Sequence, residues 1–178
     1  MICYVFFLVL PLVLYRLLAR VNKQAAALMV AFALVSVPIS LLSMSHKLEI
    51  VSLLSGPDQL RTRDAPLLHH VMLLLTQYRS GLLTASIFWG LWLLPFGYLV
   101  FKSNFLPKIL GVLLMIGCFG YLTDVIGSVL LYGYDKTLIA DFATLPASIG
   151  EIGICLWLLI VGTREPKLNG DRKAEESA

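Results

Sequence analysis

The sequence predicts an all-α membrane protein, a polytopic bundle of about five transmembrane helices. Of its 178 residues, 58% are hydrophobic and only 14% are charged, whereas an ordinary soluble domain has about 25% charged residues. The charges lie in clusters between long apolar runs, and no segment shows the two-residue alternation of a barrel strand. This composition excludes a soluble globular fold, because too few charged residues are present to cover its surface.

Helix length gives the number of spans. A hydrocarbon core of about 30 Å requires about 20 apolar residues in a helix, because each residue rises about 1.5 Å. We expect one bundle over residues 1–162, with helices at 2–18, 25–44, 81–100, 109–132 and 142–161. Residues 163–178 are rich in charge, so we expect them to form a disordered cytoplasmic tail.

The first two segments are joined by a tight turn at residues 20–23. Residues 2–18 are apolar without a preceding positive region, and Arg16 and Arg20 follow the apolar run, which is the reverse of a signal peptide. We therefore expect a mature membrane helix there, and its abrupt start suggests that an upstream helix is missing. In the second segment, Pro38 is expected to kink the helix.

The remaining connections are less regular. The longest runs over residues 45–66, and Gly56-Pro57-Asp58 predicts a turn within it. Residues 67–100 would reach about 50 Å if helical throughout, so residues 67–80 either project as part of the third helix or lie in the interface. Pro107 stands where the fourth helix would begin.

Orientation follows from the Lys and Arg residues at alternate ends of the helices. One side carries Arg16, Arg20, Lys23, Lys102, Lys108, Arg164, Lys167, Arg172 and Lys173. The other carries Lys47, Arg61, Arg63 and Lys136. Because cytoplasmic loops have the excess of positive charge, we expect the C-terminus inside the cell and the N-terminus outside.

Ionisable residues inside membrane helices are the candidates for function, because their burial in lipid costs several kcal/mol. Arg79, Asp124 and Glu151 interrupt apolar segments, and each lies on a stripe of small or polar residues at helical spacing. His69 lies on the same stripe as Arg79. We expect these four residues to line a ligand-binding cavity in the outer half of the bundle, with Arg79 paired to Asp124 and Glu151 deeper.

Other chemistries are weakly indicated. His69 and His70 point about 100° apart on a helix, and His46 lies beyond a long connection. We therefore expect no metal site and no cofactor. No basic stretch is interleaved with exposed aromatic residues, so we expect no nucleic-acid partner.

The leading functional hypothesis is a non-enzymatic membrane protein that binds or moves a small ligand, lipid or proton at this cavity. One alternative is an intramembrane hydrolase that uses His69 or His70 with Asp124, although no Gly-x-Ser-x-Gly nucleophile motif is present. The other alternative is a structural or regulatory subunit whose charges only hold the helices together. The bilayer and a small-molecule or lipid ligand are the expected partners, and the oligomeric state is left open.

The turn before the fourth helix carries a resemblance to a known family. Residues 97–111 read Gly-Tyr-Leu-Val-Phe-Lys-Ser-Asn-Phe-Leu-Pro-Lys-Ile-Leu-Gly, followed by Gly120-Tyr-Leu-Thr-Asp124 and Gly150-Glu151. The pattern resembles a bacterial multi-pass membrane-protein family described as domain of unknown function 4386. The resemblance implies a bacterial inner-membrane protein with one more amino-terminal helix than this chain has, and it implies no particular activity.

The orientation is testable by labelling intact cells with a membrane-impermeant maleimide, after serine replaces Cys3, Cys118 and Cys155. Arg172→Cys should remain unlabelled until the cells are lysed, because we expect the tail in the cytoplasm. Lys136→Cys, on the opposite side, should be labelled without lysis. Labelling of Arg172→Cys in unbroken cells contradicts the predicted orientation.

Overall fold

The computed structural model describes residues 2–55, 65–131, 134, 137 and 142–162. Within these residues the chain forms five α-helices and no strand, which confirms the predicted all-α class. The helices are α1 (Ile2–Leu18), α2 (Lys23–Ser55), α3 (Ala65–Lys102), α4 (Lys108–Leu130) and α5 (Leu145–Ile160). The predicted turn at 56–58 and the predicted tail at 163–178 lie outside the described residues.

Helices that follow one another in the chain pack together, and α3 lies between α2 and α4. The turns at residues 19–22 and 103–107 lie at one end of the bundle, which we call the short-turn end. The end of α2, the start of α3 and the end of α4 lie at the other, which we call the hairpin end. Asn22 caps α2, because its Oδ1 accepts hydrogen bonds from the backbone N–H groups of Gln24 and Ala25, at 3.0 and 3.1 Å.

Three helices, α2, α3 and α4, are long and apolar enough to cross a membrane. The helices α1 and α5 are shorter and also apolar, with 17 and 16 residues. Large apolar side chains face outward along the bundle, including Phe6, Leu130 and Leu159, which are 70%, 74% and 82% exposed. Such a surface is stable in lipid and not in water, which is consistent with a membrane protein.

The helices α2 and α3 extend beyond the predicted spans. α2 continues to Ser55, past the expected end at Met44, and α3 begins at Ala65 instead of Gly81. With 33 and 38 residues, they measure about 50 and 57 Å, longer than a hydrocarbon core of about 30 Å. Residues 67–80 are therefore part of α3, and the paired ends of the two helices form a helical hairpin beyond the span, the distal hairpin.

The core of the bundle is built around α3. Trp92 is 2% exposed and stacks on Phe96 with ring centroids 5.3 Å apart. Phe7 of α1 meets the same indole edge to face, also at 5.3 Å. Such aromatic contacts add to the burial of apolar area and attach α1 to the rest of the bundle.

The closest approach of α3 and α4 occurs at two glycines. A Cβ atom added to Gly111 would lie 2.7 Å from the carbonyl oxygen of Gly97 and 2.7 Å from the backbone nitrogen of Phe101. One added to Gly97 would lie 2.6 Å from the carbonyl oxygen of Gly111. The two backbones are therefore in direct contact, as in the small-residue interfaces of membrane helices.

A row of buried serines follows the face of α2 that packs toward α3. The hydroxyl of Ser36 donates to the carbonyl of Ala33, that of Ser40 to Ser36, and that of Ser43 to Ile39, at 2.7–2.8 Å. Each hydroxyl proton is thus satisfied within α2, as buried polar groups require.

Gly111→Ala should lower the free energy of unfolding in detergent by about 1–3 kcal/mol, because the new methyl group meets backbone atoms that cannot move aside locally. The matched control is Gly153→Ala, whose methyl group would meet the Cδ2 atom of Leu110, the end of a flexible side chain, at 2.7 Å. That variant should be unchanged or more stable by up to about 1 kcal/mol, the helix-propensity gain. Equal losses in both variants, measured by denaturant titration followed by circular dichroism, argue against the backbone contact.

Candidate functional site

The two intramembrane carboxylates lie on neighbouring helices. Asp124 is on α4 and Glu151 is on α5, and both side chains are half-buried. Arg79 and His69 lie further toward the hairpin end of α3, where both are exposed. The candidate residues are therefore divided between an α4–α5 group and an exposed α3 group.

Small residues bring α4 and α5 together and set their register. A Cβ atom added to Gly117 would lie 2.6 Å from the Cβ of Ala147. One added to Gly150 would lie 2.9 Å from the Cδ2 of Leu114, so Glu151 stands near the level of Leu114. Asp124 is ten residues further along α4, or about 15 Å toward the hairpin end.

Tyr121 connects the two carboxylates. Its half-buried side chain lies within electrostatic reach of both Glu151 and Asp124. It is also held against α3, because a Cβ atom added to Gly90 would lie 2.9 Å from the Cβ of Tyr121. The phenol therefore stands in a packed position between the two acids.

A second phenol continues this arrangement beyond Asp124. Tyr134 is 4% exposed, and its ring lies against Gly127, which has no side chain to displace it. Its Oη is buried and has no hydrogen-bond partner among the described residues. Burial raises the pKa of the Tyr134 phenol, and the negative charge of Asp124 adds to this effect.

These four side chains form a row that alternates carboxylate and phenol. In order from the short-turn end, the carboxylate–phenol row is Glu151, Tyr121, Asp124 and Tyr134. Both functional group types bind and release protons, and the carboxylates also attract cations. Chemically, the row can exchange protons or hold a small cation.

The α3–α4 register bears on the expected pairing of Arg79 with Asp124, because it gives the offset of the two residues along the bundle axis. Gly90 lies beside Tyr121, and counting along each helix places Arg79 about 12 Å further toward the hairpin end than Asp124. α3 also packs on α4 through Gly97 and Gly111, whereas Gly117 of α4 faces α5. The glycine stripe of α4 thus meets α5, and α3 occupies an adjoining face.

The histidines lie on the distal hairpin, outside the row. By the same register His69 is about 27 Å further toward the hairpin end than Asp124. His70 is 3.7 Å from the carboxylate of Glu49, and both side chains are 52% exposed, so this pair contributes little stability. Among the residues that the structure describes, no three His, Cys, Asp or Glu side chains are grouped to hold a metal ion.

The two phenols of the row were not among the residues singled out in the sequence. Tyr121 stands three positions before Asp124, which places both on one side of a helix, and this spacing was the available signal. Tyr134 lies after the end of α4, where no periodicity indicates which way a side chain faces. Only the tertiary structure reveals its position.

Comparisons with known proteins identify the family of this chain. The family described as Domain of unknown function (DUF4386) matches residues 1–162. An uncharacterized protein of Archaeoglobus fulgidus is 33% identical over 90 residues, which is 51% of this chain and 51% of that protein. The chain thus spans about half the length of this relative. No solved structure matches the chain. Because the family match covers most of the sequence, the chain belongs to the DUF4386 family of domains of unknown function.

Proposed function

We propose that this protein is a multi-pass membrane protein that binds protons at the carboxylate–phenol row and moves them along it. The observation that carries the proposal is the position of Tyr121 along α4, between the level of Glu151 and Asp124. Chains of carboxylates and other titratable groups are the usual proton pathways of membrane proteins. The buried hydroxyl of Tyr134 extends the row toward the hairpin end.

The chemistry of the row favours a proton over a larger ligand. A carboxylate in a low-dielectric medium is stabilised by taking up a proton, and a phenol can donate one proton while it accepts another. The row extends about 15 Å between the carboxylates, so water molecules are needed to complete the path. Small residues such as Gly117 and Ala147 bring the helices close and leave little room for a bulky ligand.

A structural role is the second candidate. It is favoured by the tight glycine contacts, because polar groups between closely packed helices also serve to fix register. It predicts that neutral replacements of the carboxylates leave every transport measurement unchanged. The hydrolase alternative is not supported by the geometry, since His69 and His70 lie far from Asp124 along the bundle axis.

We further propose the cell membrane as the location, with the short-turn end in the cytoplasm. The excess of Lys and Arg at that end supports this orientation. The placement in a bacterial inner membrane remains what the family resemblance implies. In this orientation, Tyr134 is at the outer end of the row and Glu151 is toward the cytoplasm.

The test uses the full chain in liposomes that contain a pH-sensitive dye, with an inside-negative potassium diffusion potential to drive protons inward. Wild-type vesicles should acidify faster than protein-free vesicles. Glu151→Gln, Asp124→Asn and Tyr121→Phe should each reduce the rate to that of protein-free vesicles, because each removes one proton-exchanging group. Tyr134→Phe should reduce the rate in the same direction.

Glu49→Gln is the matched control, because it neutralises a carboxylate on the distal hairpin outside the row. It should acidify at the wild-type rate. Circular dichroism in detergent should show unchanged helix content in all variants. A wild-type rate equal to that of protein-free vesicles, or row variants as fast as Glu49→Gln, contradicts proton movement and favours the structural role.

A further inference from the structure

A cleft lies between α2 and α3, apart from the carboxylate–phenol row. Its volume is about 450 Å³, within the range of about 300–1,000 Å³ that is usual for small-molecule sites. Ser43 and Gly81 are in close contact at its floor. The polar side chains of His46, Gln77 and Ser80 line the cleft.

Both helices place this cleft at the edge of the hydrocarbon core. From Lys23 at the start of α2 to Ser43 the helix rises about 30 Å, and from Lys102 at the end of α3 back to Gly81 it rises about 32 Å. Each distance equals the thickness of the hydrocarbon core, about 30 Å. The cleft therefore lies at the level of the lipid headgroups of the leaflet on the hairpin side.

The cleft has an apolar part and a polar part, as a binding site for a lipid requires. Ile39 and Leu42 supply an apolar wall, and Leu42 is 66% exposed. Toward the hairpin end of this wall the lining is polar, with His46, Thr76 and Gln77. An acyl chain can follow the apolar side while a headgroup occupies the polar side.

The hydrogen-bonding groups fit a headgroup that both accepts and donates. The hydroxyl of Thr76 donates to the backbone carbonyl of Met72 at 2.9 Å, so its oxygen remains as an acceptor for a ligand hydroxyl. The amide of Gln77 offers N–H donors to a phosphate oxygen. Phosphate and free hydroxyl groups on one ligand would use both kinds of site.

Positive charge borders the cleft. Lys47 adjoins His46, and its Nζ lies 5.6 Å from the centre of the Tyr78 ring, next to Gln77. The carboxylate of Glu49, one turn beyond His46, lies 3.7 Å from the imidazole of His70. No carboxylate is among the residues that line the cleft, so Lys47 is the charge that favours an anionic ligand.

We propose that the cleft binds an anionic phospholipid of the surrounding bilayer, with a headgroup that carries both a phosphate and free hydroxyl groups. The phosphate lies toward Lys47 and Gln77, a headgroup hydroxyl donates to Thr76, and an acyl chain packs on Leu42. This site is separate from the carboxylate–phenol row, so lipid binding is tested independently of proton movement.

The test is the thermal unfolding of the purified full chain in a neutral detergent. Phosphatidylglycerol should raise the unfolding temperature in a saturable way, whereas phosphatidylcholine with the same acyl chains should raise it far less. Lys47→Gln should weaken the apparent affinity for phosphatidylglycerol about fivefold, the effect of one lysine at an anionic membrane surface. Thr84→Leu should abolish the preference for phosphatidylglycerol, because the larger side chain fills the cleft.

Each variant has a matched control elsewhere on the bundle. Lys108→Gln removes a lysine whose Nζ also lies over an aromatic ring, 5.9 Å from the centre of Phe101, at the short-turn end. Thr123→Leu replaces an exposed threonine of α4 whose hydroxyl donates to a backbone carbonyl as that of Thr84 does. Both controls should bind phosphatidylglycerol as the wild type does.

Three outcomes overturn the proposal. The first is equal stabilisation by phosphatidylglycerol and phosphatidylcholine. The second is an equal effect of Lys47→Gln and Lys108→Gln, a comparison that remains decisive if Thr84→Leu does not fold. The third is full stabilisation by glycerol 3-phosphate alone, which would assign the cleft to a free phosphate compound instead of a lipid.

Discussion

The backbone contact between Gly97 and Gly111 is the constraint on which the rest of the bundle depends. In lipid, apolar side chains gain nothing by leaving the solvent, so helices associate through close packing. The two glycines allow α3 and α4 to meet with a single register. That register places Gly90 beside Tyr121, and the contact of Gly117 with Ala147 then sets where Asp124 stands relative to Glu151 of α5.

The number of helices could be read from hydropathy, whereas the lengths of two of them could not. A run of apolar residues reports where lipid surrounds a helix, and it ends at polar residues such as His46, Lys47 and Glu49. A helix itself requires only backbone hydrogen bonds and a packing partner. Since α2 and α3 pack against each other, both continue as helices beyond the apolar runs.

The candidate site, like the helices, could be predicted only in part from the sequence. Asp124 and Glu151 are visible in the sequence because a carboxylate in an apolar run is rare and costly. Helical spacing shows which residues share a face of one helix, but it does not give the offset between two helices. The level of Arg79 relative to Asp124, and the position of Tyr121 between the acids, depend on that offset and required the tertiary structure.

The motif that carries the family resemblance is explained by folding. Gly97 and Gly111 form the helix contact, the hydroxyl of buried Ser103 donates to the carbonyl of Val100 at the end of α3, and Leu106 is 5% exposed within the core. These residues build a turn and position two helices. A family recognised by this motif shares an architecture, and its chemistry depends on residues elsewhere.

The serine row of α2 has a mechanical consequence. The hydroxyl protons of Ser36, Ser40 and Ser43 are donated within α2, so none of them forms a hydrogen bond to α3. At these serines the α2–α3 interface is held by packing. Tilting α2 against α3 therefore leaves these bonds intact. The distal hairpin extends about 20 Å past the hydrocarbon core, so any such tilt would displace its tip more than it displaces the contact between Ser43 and Gly81.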